Sequence, residues 1–414
     1  MHIIIVHQNP SITGGPEAIC TRKLINALAD ENFKISIVSR NDVKCDFSNE
    51  NIQCFSVGKG RLASQESLFE KFSRNLQFYP ESGWFWALAA AKKIDELCRA
   101  DKIDLLHTRA MPFISHISGW KSECVGRIPW LAHFSDPWPD TDSFGEKKSN
   151  LRMRWHRKIL PKCSAVSYPC QRVAEYCKKN QWGKLDDQHF PREIILPHIA
   201  GEISGNPASA QQGKSQFIFL HCGSFTERRR PDEFIAAWAE FVKAQPENRR
   251  HLIFRHVGPF DSRLEKFANE YGVSDTIEQL GPCDYPRSLQ FMAEASVLVL
   301  IDSPLIKTSL FFPSKLSDYV AANKPILAFS PKDGTVADLL GEDYPFLAAP
   351  WDVQSMQNVL KDSLVDLLRG EWRGEKSTIK LKQECNPRGV ARKIIELLNY
   401  WGQVVALNPK AEEH

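Results

Sequence analysis

The sequence predicts an α/β protein of two Rossmann-like domains, each built on a parallel sheet, and three observations carry that expectation. Short aliphatic or β-branched runs alternate with stretches of helical periodicity along nearly the whole chain. The intervening helical stretches supply the crossovers that parallel strands require. The alternation stops at a polar connection, 201–214, and restarts beyond it, in a chain whose 414 residues suit two or three folded units.

The elements follow in order. The opening run His2-Ile3-Ile4-Ile5-Val6-His7 reads as a strand, the loop 8–16 carries Gly14 and Gly15, and a helical pattern runs from Glu17 to about Ala29. A strand at 34–39 closes this βαβ unit, and further strands are expected at 104–107, 130–134, 165–168 and 194–196. Beyond the connection they are expected at 217–221, 252–257, 297–301 and 325–329. Near the end, Val390, Ile394, Leu397, Leu398 and Trp401 recur at helical spacing, so a helix from about 387 to 403 has one face to bury. The expected domains are 1–200 and 201–386, followed by this helix and a hydrophilic tail in 387–414.

Composition excludes several classes. Hydrophobic residues make up 43% and charged residues 25%, enough apolar material for folded cores and too little charge for disorder. Lys and Arg number 53 against 50 Asp and Glu, a formal charge of +3, which does not suit a nucleic-acid partner. An anion site must therefore be local. The eleven cysteines include no Cys-x-x-Cys pair, which points to reduced, mostly buried thiols of a cytoplasmic protein and to no metal centre. With only four consecutive aliphatic residues and no basic segment at the start, and no apolar stretch near eighteen residues, neither a secretion signal nor a membrane span is expected.

In an open parallel sheet the ligand sits beyond the carboxyl ends of the strands, so residues just after strands are the informative ones. Gly14-Gly15 is either a tight turn or a place where the backbone approaches a bound anion at a helix N-terminus. Arg228-Arg229-Arg230, close behind Gly223, is either a solvated charge run or a set of guanidinium forks for phosphate oxygens. Pro313 at a first helical position leaves the amides of Ser314 and Lys315 to face an anion, with Asp318 one turn on as an acceptor for vicinal sugar hydroxyls. Phosphate donors followed by a hydroxyl acceptor describe a nucleoside-diphosphate site. Asp136, at a strand end, is a candidate to orient or deprotonate an acceptor hydroxyl, and His133 on the same strand is either a buried structural histidine or a second candidate. Asp140-Thr141-Asp142 matches a metal-binding Asp-x-Asp pattern and is read as a loop. The basic segment 147–162, with Trp155, is either a solvated helix face or a surface for anionic lipid headgroups.

Three stretches together resemble the GT-B glycosyltransferases, close to family 4. They are Pro129-Trp130-Leu131-Ala132-His133-Phe134-Ser135-Asp136-Pro137-Trp138, the stretch from Gly223 to Pro231, and Phe312-Pro313-Ser314-Lys315-Leu316-Ser317-Asp318-Tyr319. The resemblance implies two domains facing a central cleft, a first domain binding the acceptor, a second binding a nucleotide sugar, and a last helix returning to the first. It implies that Arg229 takes the place of a phosphate-binding lysine, that Ser314 and Lys315 contact the diphosphate, and that Asp318 stands where a ribose-binding glutamate would. It departs from the pattern at Leu310 for the first glutamate of Glu-x7-Glu, at Ser224 for an arginine, with Arg228 or Arg230 in compensation, and at Ser135 for the catalytic histidine beside Asp136.

The function so implied is transfer of a sugar from a UDP- or GDP-sugar to a hydroxyl of a saccharide or lipid-linked saccharide. Retention of configuration, no required cofactor or metal, and a cytoplasmic place, peripheral at the inner membrane face, go with it. Two other readings stay open: a degenerate nucleotide-sugar-binding or scaffold protein, and a nucleotide-sugar 2-epimerase.

Overall fold

The computed structural model describes residues 1–13, 15–40, 42–58, 83–137, 146–182, 191–203 and 216–407, with the backbone alone for 146–150 and 404–407. Contacts divide the chain into two compact units, Met1–Pro197 with Pro387–His414, and His198–Asn386.

The first unit contains β1 (His2–Val6), α1 (Pro16–Asp30), β2 (Lys34–Arg40), β3 (Ile52–Val57), α2 (Trp84–Ala100), β4 (Leu105–Ala110) and α3 (Ile114–Lys121). β5 (Trp130–Phe134), α4 (Glu146–Ile159), β6 (Ala165–Tyr168), α5 (Gln171–Asn180), β7 (Arg192–Ile195) and the last helix, α13 (Pro387–Leu407), complete it. Its seven strands lie in the order β3-β2-β1-β4-β5-β6-β7, all parallel. β1 is central, and Ile3, Ile4, Ile5 and Val6 are fully buried, which explains why that strand reads as an unbroken apolar run. Helix α13 packs on α1 with Val390, Ala391, Ile394 and Leu397 buried, an Arg388–Glu31 ion pair at 3.6 Å and a bond from Lys393 Nζ to Ile195 O at 3.0 Å.

The second unit contains β8 (Phe217–Cys222), α6 (Asp232–Lys243), β9 (Leu252–Val257), α7 (Ser262–Tyr271), β10 (Ile277–Gly281), α8 (Tyr285–Glu294), β11 (Val297–Ile301) and β12 (Thr308–Ser309). There follow α9 (Ser314–Ala321), β13 (Ile326–Phe329), β14 (Asp333–Gly334), α10 (Thr335–Leu340), β15 (Leu347–Ala348), α11 (Val353–Arg369) and α12 (Glu375–Glu384). Its six-stranded parallel sheet has the order β10-β9-β8-β11-β13-β15. The core between α6 and this sheet is aromatic, with Phe219, Phe234, Trp238, Phe241 and Phe254 all buried, and the Trp238 indole N–H is satisfied by Thr276 Oγ1 at 3.0 Å.

In both sheets the strand order, not the strand direction, reverses at one place. In the first, β1 to β3 succeed one another toward one edge and β4 to β7 toward the other; in the second, β8 to β10 go toward one edge and β11 onward toward the other. The crevices at the carboxyl ends of β1 and β4, and of β8 and β11, are where ligands of such sheets bind.

Four sequence expectations need correction or extension. β3 and β10 were not expected as strands: each lies at a sheet edge, half-exposed, with polar residues that break the apolar run. Cys45 and Cys54 are joined as a disulfide, against the expectation of thiols throughout, because β3 brings Cys54 within 6.3 Å (Cα to Cα) of Cys45. Pro313 caps α9 instead of opening it, with extended backbone that places Ser314 first in the helix. Asp140 and Asp142 lie outside the described residues, as does Gly14.

Candidate functional site

In the second unit, β8 delivers Gly223 to the crevice between β8 and β11. Its φ of 135° favours glycine, and a Cβ there would lie 2.5 Å from Lys315 Nζ. The Gly223 carbonyl accepts a 2.8 Å hydrogen bond from His256 Nε2, so that nitrogen carries the proton. A Cβ on Gly258 would sit 2.2 Å from the same oxygen. Gly258→Ala must therefore push a held carbonyl aside, and a cost of about 1–3 kcal/mol is expected. A thermal melt checks this; an unchanged midpoint would show that the loop yields freely.

Lys315 comes from the first turn of α9, whose N-terminus has no side-chain cap. Its ammonium nitrogen is buried and has no hydrogen-bond partner among the described residues. Burial, and then the Arg229 guanidinium beside it, push the Lys315 pKa down to about 7. Arg229 Nη2 stands 4.0 Å from Asp302 Oδ1, and Arg229 Nε is buried with no hydrogen-bond partner among the described residues. Asp302, just past β11 and 5% exposed, is itself held by Ser330 Oγ at 3.2 Å and by the Ser303 amide at 2.8 Å. Ser303 Oγ donates to Arg228 O at 2.6 Å and so fixes the arginine loop to β11. Two cations face one carboxylate here, and the surplus positive charge suits a phosphate group.

The structure thus brings Gly223, Arg229 and Lys315 together, with Ser314 half-buried beside Lys315 at the helix start. It does not bring Arg230 with them: that guanidinium faces Asp232 at 3.9 Å and Glu233 at 3.6 Å at the start of α6. Asp318 is buried one turn on, and its Oδ1 accepts from the Gly201 amide at 2.8 Å and from Tyr285 Oη at 2.9 Å. That oxygen is committed to protein groups instead of standing open to a sugar.

In the first unit the crevice between β1 and β4 holds a second polar cluster. Gly15 caps α1 at φ 89°, and Glu17 follows in the first turn with its side chain 13% exposed. Glu17 Oε1 accepts from Arg109 Nε at 3.2 Å and Nη2 at 2.9 Å, and Oε2 accepts from the Ser135 hydroxyl. Burial raises the Glu17 pKa and Asp136 adds to the rise, while Arg109 and Ser135 oppose it. His7, beyond β1, bonds Met111 O at 3.2 Å, and burial with Arg109 nearby lowers its pKa to about 4. Asp136 is exposed. His133 is 1% exposed within β5, with Nδ1 2.9 Å from Ser167 Oγ, as its reading as a buried histidine describes.

The sequence reasoning missed Glu17, Arg109, His256, Gly258 and Asp302. Two carried a signal. A charged Arg109 inside an otherwise strand-like run is a costly placement unless paired, and an acid two residues after Gly14-Gly15 stands in the first turn of the helix that follows the loop.

The sequence matches no family model and no curated protein sequence. Solved structures do match over nearly the whole chain. Sucrose-phosphate synthase from Thermosynechococcus elongatus superposes with a TM-score of 0.69 at 16% identity, covering 99% of this chain and 100% of that one. Anabaena HepE in complex with UDP and glucose gives 0.65 at 14%, covering 97% and 100%. An α,α-trehalose-phosphate synthase (UDP-forming) from Burkholderia xenovorans in complex with glucose-6-phosphate gives 0.68 at 12%, covering 96% and 99%. The fold is GT-B. In this GT-B chain the phosphate-suited cluster belongs to the second sheet and the Glu17 cluster to the first, each at its own switch point. At such low identity the likeness is one of fold, so the roles of residues rest on their geometry.

Proposed function

We propose that the protein is a glycosyltransferase that moves a sugar from a nucleotide-diphosphate sugar to a hydroxyl acceptor. The buried ammonium of Lys315, without a partner among the described residues and set against Arg229 and Gly223, is the observation that carries this reading. A buried cation is costly unless a ligand supplies its counter-charge. Cleavage of the sugar–phosphate bond puts negative charge on the diphosphate, and preorganised cations stabilise that charge where it develops. Gly223, lacking a side chain, lets the phosphate come close.

The finer reading is a family 4-like enzyme with a saccharide or lipid-linked acceptor, acting with retention and without a metal. Residues 1–200 serve the acceptor, 201–386 the donor, and the helix in 387–414 completes the first domain. The UDP bound to HepE and the UDP-forming reaction of the trehalose-phosphate synthase make UDP the first donor nucleotide to try, with GDP second. Asp136 orients the acceptor hydroxyl or takes its proton. No helix among the described residues is long and apolar enough to cross a membrane. Peripheral contact through 147–162, at the inner face of the membrane, rests on the basic side chains of that segment alone, since Trp155 is buried and packs edge to face on Trp84 and Trp120 at 5.5 and 5.3 Å.

The test is calorimetric titration with UDP, GDP and ADP, followed by transfer from the matching glucose donor in the presence of EDTA. Binding with metal-independent transfer is expected. Binding without turnover would favour a scaffold, a free epimerised sugar the epimerase, and activity restored only by manganese would contradict the metal-free reading. Asp136→Asn is expected to lower turnover at least tenfold with UDP affinity unchanged, as steady-state kinetics beside titration would record.

A further inference from the structure

The crevice between β1 and β4 contains a proton-donor arrangement with one element over-supplied. Ser135 has a single hydroxyl proton, and two acceptors stand within reach of it: Glu17 Oε2, and Ala110 O at 2.9 Å. A carboxylate competes for that proton more strongly than a neutral carbonyl does. Glu17 is kept a carboxylate by Arg109, whose side chain is 4% exposed and whose charge would otherwise be buried without a counter-ion. Arg109 is held in turn by Thr21 Oγ1, 2.8 Å from Nε, and by His107 Nε2, 3.5 Å from Nη1. The pair is therefore fixed from α1 and β4 at once. With the Ser135 proton committed to Glu17, the oxygen of Ser135 presents lone pairs, and no donor among the described residues fills them. Ser135 is half-buried and adjoins the exposed Asp136, whose charge is felt at Glu17.

We propose that Glu17 is a positioning residue of the acceptor site. Ion-paired to Arg109 through one oxygen, it accepts the Ser135 hydroxyl's hydrogen bond on the other and so leaves the Ser135 oxygen as an acceptor for the hydroxyl of an incoming saccharide beside Asp136. The hydroxyl to be glycosylated, or its neighbour on the same ring, donates to Ser135 Oγ and is thereby aligned. The inference rests on the glycosyltransferase reading above and adds the device by which the acceptor is held.

A double-mutant cycle on the full chain tests it. Wild type, E17Q, S135A and the double variant are compared for transfer from UDP-glucose to glucose-6-phosphate or glucose, whichever supports the higher wild-type rate, with UDP binding measured alongside. Each single variant is expected to lose at least tenfold in kcat/KM for the acceptor, mostly through KM, with UDP affinity unchanged. The double variant is expected to be no worse than the poorer single one, since Glu17 acts through Ser135. S135T, which keeps the hydroxyl, is expected to retain transfer within about threefold of wild type. Should E17Q fail to fold, with Arg109 left unpaired, S135A against S135T still decides, because both leave Glu17 paired with Arg109. Additive losses in the cycle, or S135A transferring like wild type, would overturn the inference. A wild type that binds UDP and transfers to no acceptor would instead overturn the function on which it rests.

Discussion

Lys315→Met will weaken UDP binding about 10- to 150-fold while leaving the unliganded protein as stable or more so. The loss follows from removing a charge-assisted contact to a phosphate, about 1.5–3 kcal/mol. The opposite sign for stability follows from burial, since the folded chain holds this ammonium without a hydrogen-bond partner among the described residues and methionine fills similar volume without charge. The pH dependence separates the two effects. A folded pKa of about 7 lies below the value of about 10.4 for a free lysine, so between them the unfolded chain binds more protons. The penalty is therefore full below about 7 and is relieved as pH rises toward 10. Wild-type melting temperature should climb over that window relative to the variant. UDP binding at pH 8 should take up a proton, visible as a dependence of the binding enthalpy on buffer ionisation, and Lys315→Met should abolish that uptake. Affinity and uptake unchanged in the variant would mean that the phosphate does not meet Lys315.

Ending the chain at residue 386 will give protein that is insoluble or inactive. The truncation removes α13, in which Val390, Ile394 and Leu397 are at most 2% exposed and Leu398 is 8% exposed. Fully burying a large aliphatic side chain contributes roughly 1.5–3 kcal/mol, so the set is worth about 6–12 kcal/mol. That is comparable to the whole stability of a typical domain, about 5–15 kcal/mol. The deletion also uncovers the surface of α1 on which the helix packs. Expression with light scattering and circular dichroism would decide it, and a soluble, cooperatively melting truncation would show that α13 is dispensable.

The parallel strands were legible because burial on both faces writes them as unbroken apolar runs, as at Ile3-Ile4-Ile5-Val6 and Val297-Leu298-Val299-Leu300-Ile301. The edge strands β3 and β10 were not, because exposure on one side admits Gln53, Ser56, Glu278 and Gln279. The phosphate-suited cluster was half legible. Gly223, Arg229 and Lys315 follow from strand-end placement and from a helix start, both local features. Asp302 and Gly258 were not, since the first is a lone acid after a strand and the second matters only for its nearness to Gly223 O, a neighbour of another strand. Which arginine of the run turns inward is likewise a matter of packing: Ser303 fastens the Arg228 carbonyl, Arg229 faces Asp302, and Arg230 faces Asp232 and Glu233. Glu17 and Ser135 stand 118 positions apart, and no spacing rule links them.

The first unit closes with a helix encoded after all of the second, which has a consequence for synthesis. As the chain leaves the ribosome, His198–Asn386 is complete before Pro387 has emerged, so the second unit is contiguous and can fold as it appears. The first unit must wait. Its α1 surface stays uncovered by α13 through that interval, and docking α13 on α1 closes a loop that spans the entire second unit. Early folding of the second unit shortens that loop by bringing its two ends into one compact body, but the time taken to synthesise that unit sets the least interval over which the nascent first unit displays apolar surface to chaperones.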